Sequence, residues 1–190
     1  MNFLLEFIYN PLFITLTYHN YSNSIIIVLS INNKKVIKMP KFGSNEWAQA
    51  FMKAINNNPN YKQAASWWEG DFVFTIEPSG ALDKKINMFV GLLHGDCTGA
   101  KTLADGEEFD TLPPNSPPRP LKEGEKIGVE FVFSGPYDNW VKVLKKELDP
   151  IQGLMAGKFK LVGNMAKVMR ATKAAQELVN STTMVETEYY

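Results

Sequence analysis

The hydrophobic period switches four times between helical and strand spacing along this chain, and that alternation fixes the class of fold open to it. Ser44 is a good N-cap for a helix starting near Asn45. Trp47, Ala50, Phe51, Ala54 and Ile55 follow at helical spacing until Asn56-Asn-Asn-Pro59 stops it. A short second helix is expected over 60–66. From Asp71 to Glu77 the period drops to two, with Phe72, Phe74 and Ile76 on one face and Val73, Thr75 and Glu77 on the other. That pattern predicts a half-buried strand. Pro78-Ser-Gly80 turns the chain into a second strand over 85–93, where Ile86, Met88, Val90 and Leu92 share a side. Residues 95–102 read as a third, more polar strand.

Between 104 and 126 the composition shifts to Asp, Glu, Gly and Pro, including Pro113-Pro114 and Pro117-Pro118-Arg-Pro120. This predicts a surface loop, because too little chain lies on either side for two cores. A proline-rich ligand for an aromatic-groove domain is the sharper alternative. Residues 127–134 form the clearest strand, with Ile127, Val129, Phe131 and Phe133 inward and Glu130 outward. An amphipathic helix follows over 137–147, carrying Trp140, Val143 and Leu144. Asp149-Pro150 opens a short helix with Ile151, Leu154 and Met155, and Gly157 stops it. A last strand over 158–162 turns Phe159 and Leu161 one way. Asn164 caps a closing helix over 165–179, striped by Met165, Val168, Met169, Thr172, Ala175 and Leu178. The order predicts an α+β fold, a five-stranded mixed sheet with helices covering one face. Residues 182–190 read as a frayed tail.

Charge narrows the function. The chain holds 20 basic and 20 acidic residues, and residues beyond 38 hold 17 and 19. A nucleic-acid binder shows a basic surplus, so no nucleic-acid partner is expected. The one cysteine, Cys97, excludes an intrachain disulfide and makes a reducing cytoplasm the default location.

Residues 1–38 differ in character, with apolar runs at 12–16 and 25–31. Neither run nears the roughly 20 residues of a bilayer-spanning helix. Met1-Asn-Phe-Leu-Leu-Glu6 lacks the basic start of a secretory signal, whereas Met39-Pro-Lys-Phe42 reads as a natural start. The expectation is a non-functional leader or mis-assigned start over 1–38, followed by one functional domain over 39–181. An extra strand pair or a peripheral membrane anchor are the other readings of the leader.

Reactive side chains gather at His94-Gly-Asp-Cys97. As a metal site it offers at most three ligands at poor spacing. As a nucleophile Cys97 lacks a base, since His94 three residues earlier on a strand points to the opposite face. Asp105, Glu107, Glu108 and Asp110 read as a solvated loop rather than a calcium site. No phosphate-binding glycine loop or nucleophile elbow is present. Lys158, Lys160, Lys167, Arg170 and Lys173 read as solvated faces, with a seat for a lipid headgroup or CoA phosphate as the alternative.

The stretch Leu148-Asp-Pro-Ile-Gln-Gly-Leu-Met-Ala-Gly-Lys-Phe-Lys-Leu-Val-Gly-Asn-Met165 resembles the signature of the sterol carrier protein type 2 (SCP2) lipid-binding family. There a Pro-initiated helical turn runs into Gly-Lys-Leu-Lys, an apolar residue, Gly, and Asn or Asp. Pro150, Gly157, Lys158, Lys160, Gly163, Asn164 and Met165 match that pattern. Ala156 stands where many members carry Gln, and the Pro-rich stretch is longer than in compact members. The resemblance implies an apolar tunnel between sheet and helices that takes fatty acids, fatty acyl-CoA or sterol-like lipids without altering them. It implies no enzyme activity, cofactor or metal, with transient membrane or enzyme contact. An accessory domain docking on an enzyme of lipid or CoA metabolism is the alternative function.

The expected tunnel lining follows the apolar faces. The sheet gives Phe72, Phe74, Met88, Val90, Phe131, Phe133, Phe159 and Leu161, with Trp68 beside it. The helices give Trp140, Leu144, Ile151, Leu154, Met155, Met165, Val168 and Met169. Flexible thioethers suit an adaptable wall, so Met155, Met165 and Met169 are assigned to it.

Overall fold

The computed structural model describes residues 4–9, 12–21 and 24–32 as backbone, and residues 39–190 apart from 123 in full. The chain divides into two compact units, Met1–Lys38 and Met39–Tyr190. In the first, β1 (Leu4–Tyr9), β2 (Leu12–Tyr21) and β3 (Ser24–Asn32) form an antiparallel sheet in that order.

The second unit begins with α1 (Asn45–Asn56), where the Ser44 hydroxyl accepts from the Trp47 N–H at 3.2 Å. α2 (Pro59–Ala64) starts where Asn58 Oδ1 accepts from the N–H groups of Asn60 and Tyr61. Then follow β4 (Phe72–Glu77), β5 (Ile86–Leu93), β6 (Asp96–Thr102), β7 (Phe109–Thr111), β8 (Ile127–Val129) and β9 (Phe131–Pro136). The chain closes with α3 (Tyr137–Leu144), α4 (Pro150–Met155), β10 (Lys160–Val162), α5 (Met165–Arg170) and α6 (Thr172–Thr182). The main sheet runs β10-β9-β4-β5-β6, with β4 and β9 parallel and the other pairs antiparallel. Register sets Phe72 beside Phe131 and Phe74 beside Phe133. Aromatic rings therefore line up across the strands, Phe72 and Phe131 stacking at 4.9 Å.

The sheet is mixed and five-stranded as expected, but both of its faces are covered. Phe72, Phe74, Ile76, Met88 and Leu92 pack under the helices. Val73 and Phe89, on the opposite face, join Leu103, Ile127 and Val129 in a second core, with Phe109 and Leu121 packed against it. The half-buried strand expected over 71–77 is thus buried on both sides, and the covering comes from the Pro-rich region expected to be a surface loop. Five prolines between 113 and 120 leave three N–H groups in that stretch. All three are used. Asn115 donates to Glu130 Oε1 at 3.0 Å, Ser116 to the Pro113 carbonyl at 3.2 Å, and Arg119 to Asp71 Oδ2 at 2.8 Å. Two buried carboxylates thus clamp a segment that has little backbone hydrogen bonding of its own.

Glu130 is also where the strand expected over 127–134 breaks. Ile127 and Val129 face the second core, whereas Phe131 and Phe133 face the helices. Unbroken alternation would hold all four on one face, so the irregularity at Glu130 resets the phase. Glu130, expected outward, is 3% exposed. The closing helix breaks too, at Ala171. The Thr172 hydroxyl donates to the Met169 carbonyl at 2.9 Å, occupying an acceptor that a continuous helix would use. The tail is docked rather than frayed. Glu188 pairs with Pro40 and Phe42 through its backbone, Trp47 Nε1 donates to Thr187 Oγ1 at 2.9 Å, and Val185 is buried.

Asp71 offers a test of the clamp. Burial holds its carboxyl above the usual range although the N–H groups of Arg119 and Leu92 oppose the shift. The folded protein keeps this proton to higher pH than the unfolded chain does. The contribution of Asp71 to stability is therefore greatest below the ordinary carboxylate value and declines as pH rises through its raised one. Asp71→Asn should flatten that dependence. At neutral pH an amide turns its NH2 toward one of the two donors, which should cost about 1–3 kcal/mol in urea unfolding. An unchanged urea midpoint would remove Asp71 from the clamp.

Candidate functional site

Between the helix-facing side of the sheet and the helices lies a cavity of about 110 Å³. Its floor is Phe72, Phe74, Ile76, Met88, Leu92 and Phe133, all from strands whose alternation points them there. α1 supplies Trp47 and Phe51 at one end, beside Phe42, and Tyr61 and Trp68 form a flank. Trp140, Val143 and Leu144 of α3 and Pro150 and Ile151 of α4 close another side. Val168 of α5, with Ala171, Ala174, Ala175, Leu178, Val179 and Thr182, makes the roof. Three of the seven roof residues are alanines set against large rings, and their small side chains leave the space open.

The wall is apolar although it contains three tryptophans. Each indole N–H is bonded to a protein group: Trp47 to Thr187 Oγ1 at 2.9 Å, Trp68 to the Gly70 carbonyl at 3.0 Å, and Trp140 to the Thr75 carbonyl at 3.2 Å. The Thr182 hydroxyl donates to the Val179 carbonyl at 2.7 Å. Tyr61 is buried, and its phenol pKa is pushed up by burial first and by the nearby Cys97 and Asp96 second. An apolar space with its polar edges turned away stays dry and receives apolar matter.

Of the residues assigned to the lining from sequence, Trp68, Phe72, Phe74, Met88, Phe133, Trp140, Leu144, Ile151 and Val168 border the cavity. Val90, Phe131, Leu154 and Phe159 are buried in the same core without bordering it. Leu161 and Met169 are half-buried, and Met155 and Met165 are 70% and 43% exposed. The thioether wall expected at Met155, Met165 and Met169 is therefore not there, and rings and alanines take its place. Phe42, Trp47, Phe51, Tyr61, Ile76, Leu92, Val143, Pro150, Leu178, Val179, Thr182 and the alanines of the roof border the cavity without having been assigned to it. The helical stripe of α1 was the available signal for Trp47 and Phe51.

The reactive cluster is dispersed. Burial pushes the Cys97 thiol up to about 12, which keeps it protonated near neutrality. The His94 ring contacts Glu69 Oε1 and the Ser66 carbonyl, each at 3.1 Å. Among the described residues no group of three or more His, Cys, Asp or Glu could hold a metal ion. The basic set is split as well. Arg170 stacks over Trp67 at 5.8 Å, while Lys167 turns inward to Glu130 at 3.0 Å.

Comparison with known proteins agrees with this geometry. A model of the SCP-2 sterol transfer family matches residues 115–176. A crystal structure of sterol carrier protein 2 is 28% identical, with a TM-score of 0.60, covering 76% of this chain and 99% of its own. The solution structure of a conserved hypothetical protein from Thermus thermophilus, suggested to be a sterol carrier protein, is also 28% identical. Its TM-score is 0.61, covering 78% of this chain and 92% of its own. No curated protein matches the chain at a significant level. The fold is that of sterol carrier protein 2, and it is the SCP-2 sterol transfer family that the chain resembles in sequence as well.

Proposed function

We propose that this protein is a non-catalytic carrier that takes up the apolar part of a fatty acid, fatty acyl-CoA or sterol-like lipid in the cavity beneath α5 and α6. The observation that carries the reading is the unfilled, wholly apolar space walled by rings whose N–H groups are already bonded. At about 110 Å³ the cavity is near the roughly 150 Å³ that admits benzene in an engineered core, so it holds a ring or a few methylenes as it stands. Each methylene transferred from water contributes about 0.8 kcal/mol, so a chain of roughly sixteen carbons gains about 12 kcal/mol gross. Several kcal/mol of association cost leave micromolar or tighter binding. Such a chain needs a wider cavity, hence a wall that moves.

The cytoplasm is the proposed location. Among the described residues no helix is long and apolar enough to cross a membrane. The accessory-domain reading retains the exposed side chains of the Pro-rich segment as its contact surface, but the backbone there is committed to Asp71 and Glu130.

Titration of the full chain with a fluorescent fatty acid tests the carrier function. Three of its four tryptophans line the cavity, so their emission should be quenched saturably, with a midpoint below about 100 μM. Addition of unlabelled fatty acid should reverse the quenching. A signal that never saturates below that concentration would reject the carrier role.

A further inference from the structure

Any guest longer than a ring requires one wall of the cavity to move. The floor is a hydrogen-bonded sheet, and α1 buries five of its residues. α5 is held far less. Val168 is its one buried residue, and Met165 at its start is exposed. The backbone changes course at both ends, with Gly163 at φ +121° before it and the break at Ala171 after it.

Besides the packing of Met169 and the contact of Arg170 with Trp67, α5 is fastened by the inward-turned Lys167. Its ammonium lies 3.0 Å from Glu130 Oε2, with the two side chains only 14% and 2% exposed. It also donates to the Glu69 carbonyl and stands 5.2 and 5.3 Å from the ring centroids of Trp68 and Phe131. Pairs such as Lys62–Asp96 and Lys84–Asp105, with every side chain more than half exposed, have no such setting. The second oxygen of Glu130 is fixed by the Asn115 N–H from the opposite face of the sheet. The anchor that receives Lys167 is thus held from two sides, while the helix that delivers it buries a single residue.

We propose that α5 is the gate of the cavity and that the Lys167–Glu130 pair is the latch holding it closed. Both act as positioning residues for guest entry and not as contacts of the guest, an inference that rests on the lipid-carrier reading above. Val168, one residue on, borders the cavity, so release of Lys167 swings a piece of the roof outward. Trp68 shares the latch and the wall, which ties closure of the gate to the shape of the space behind it.

The test uses the full chain and two variants. Lys167→Met alone leaves the Glu130 carboxylate buried without its cation. Lys167→Met combined with Glu130→Gln removes both charges and keeps an acceptor for Asn115, so it preserves the fold where the single change does not. Amide hydrogen exchange read on α5 should accelerate about tenfold in the double variant, with β4 and β5 unchanged. Stopped-flow mixing with an NBD-labelled stearic acid should show association and dissociation both faster by about tenfold, with Kd moving less than threefold. Unchanged α5 exchange in the double variant overturns the latch. Equal acceleration in β4 also overturns it, because the pair would then be a general strut. Faster α5 exchange in a protein that binds no probe at all supports the gate and rejects the lipid-carrier reading instead.

Discussion

Ala174→Leu is expected to cost this protein at least tenfold in affinity for an apolar probe while leaving its thermal midpoint the same or higher. Ala174 is buried in α6 and forms part of the roof over a cavity of about 110 Å³. Leucine adds three apolar carbons where no protein atom stands. At about 0.8 kcal/mol each they contribute roughly 2 kcal/mol gross. Rotamer ordering and any overpacking reduce that gain, so the net lies between about 0 and 1.5 kcal/mol. For a chain of this size 1 kcal/mol moves the midpoint by about 2–4 °C. A guest bound as proposed would meanwhile lose that volume. Opposite signs for stability and binding separate this outcome from ordinary damage, which lowers both. Calorimetry and probe titration on one preparation decide it. Full affinity in a destabilised protein would show that guests do not use this space.

The largest loss of stability is expected at Phe159, which sequence reasoning placed in the lining and which instead wedges the sheet against α4. Its ring stacks on Phe133 at 4.9 Å and meets Trp140 edge-on at 5.1 Å. Two glycines let it in. A Cβ at Gly135 would overlap Phe159 Cδ1, and one at Gly153 would come within 2.9 Å of Cδ2. Phe159→Ala should cost about 3–5 kcal/mol, as for other buried aromatic truncations. Gly135→Ala should be damaging from the other side of the same contact, since the ring has no free space to yield into. Because both act on one contact, the double variant should be less unstable than the sum of the singles predicts. Urea unfolding of the four proteins measures the coupling. Strict additivity would mean that ring and glycines are not complementary.

How much was legible in the sequence follows from the range of the forces involved. Caps act within three residues, so Ser44, Asp149 and Asn164 announced their helices correctly. Strand alternation is equally local and placed Phe72, Phe74 and Phe133 toward the helices. The covering of the far face was not legible. It depends on Val73 and Phe89 meeting Leu103, Ile127 and Val129 from distant parts of the chain. Nor was the inward turn of Glu130, whose partners Asn115 and Lys167 lie 15 and 37 residues away. In the cavity, aromatic residues were found because size and position agree. Met155 and Met165 were misplaced because thioether flexibility says nothing about direction, and both sit at the ends of short helices facing solvent. The alanine roof went unseen for the opposite reason. A cavity is made by what side chains lack: Ala175 lies on the apolar stripe of the closing helix, but a small residue there reads as packing and not as space.

The outward-bonded indoles have a consequence for whatever occupies the interior. With every Trp donor around the space already engaged, nothing in those rings fixes the depth at which a chain stops or the way it is rolled about its long axis. Molecules of similar girth would then exchange for one another at little energetic difference, and the occupant at any moment would mirror the most abundant member of the surrounding pool.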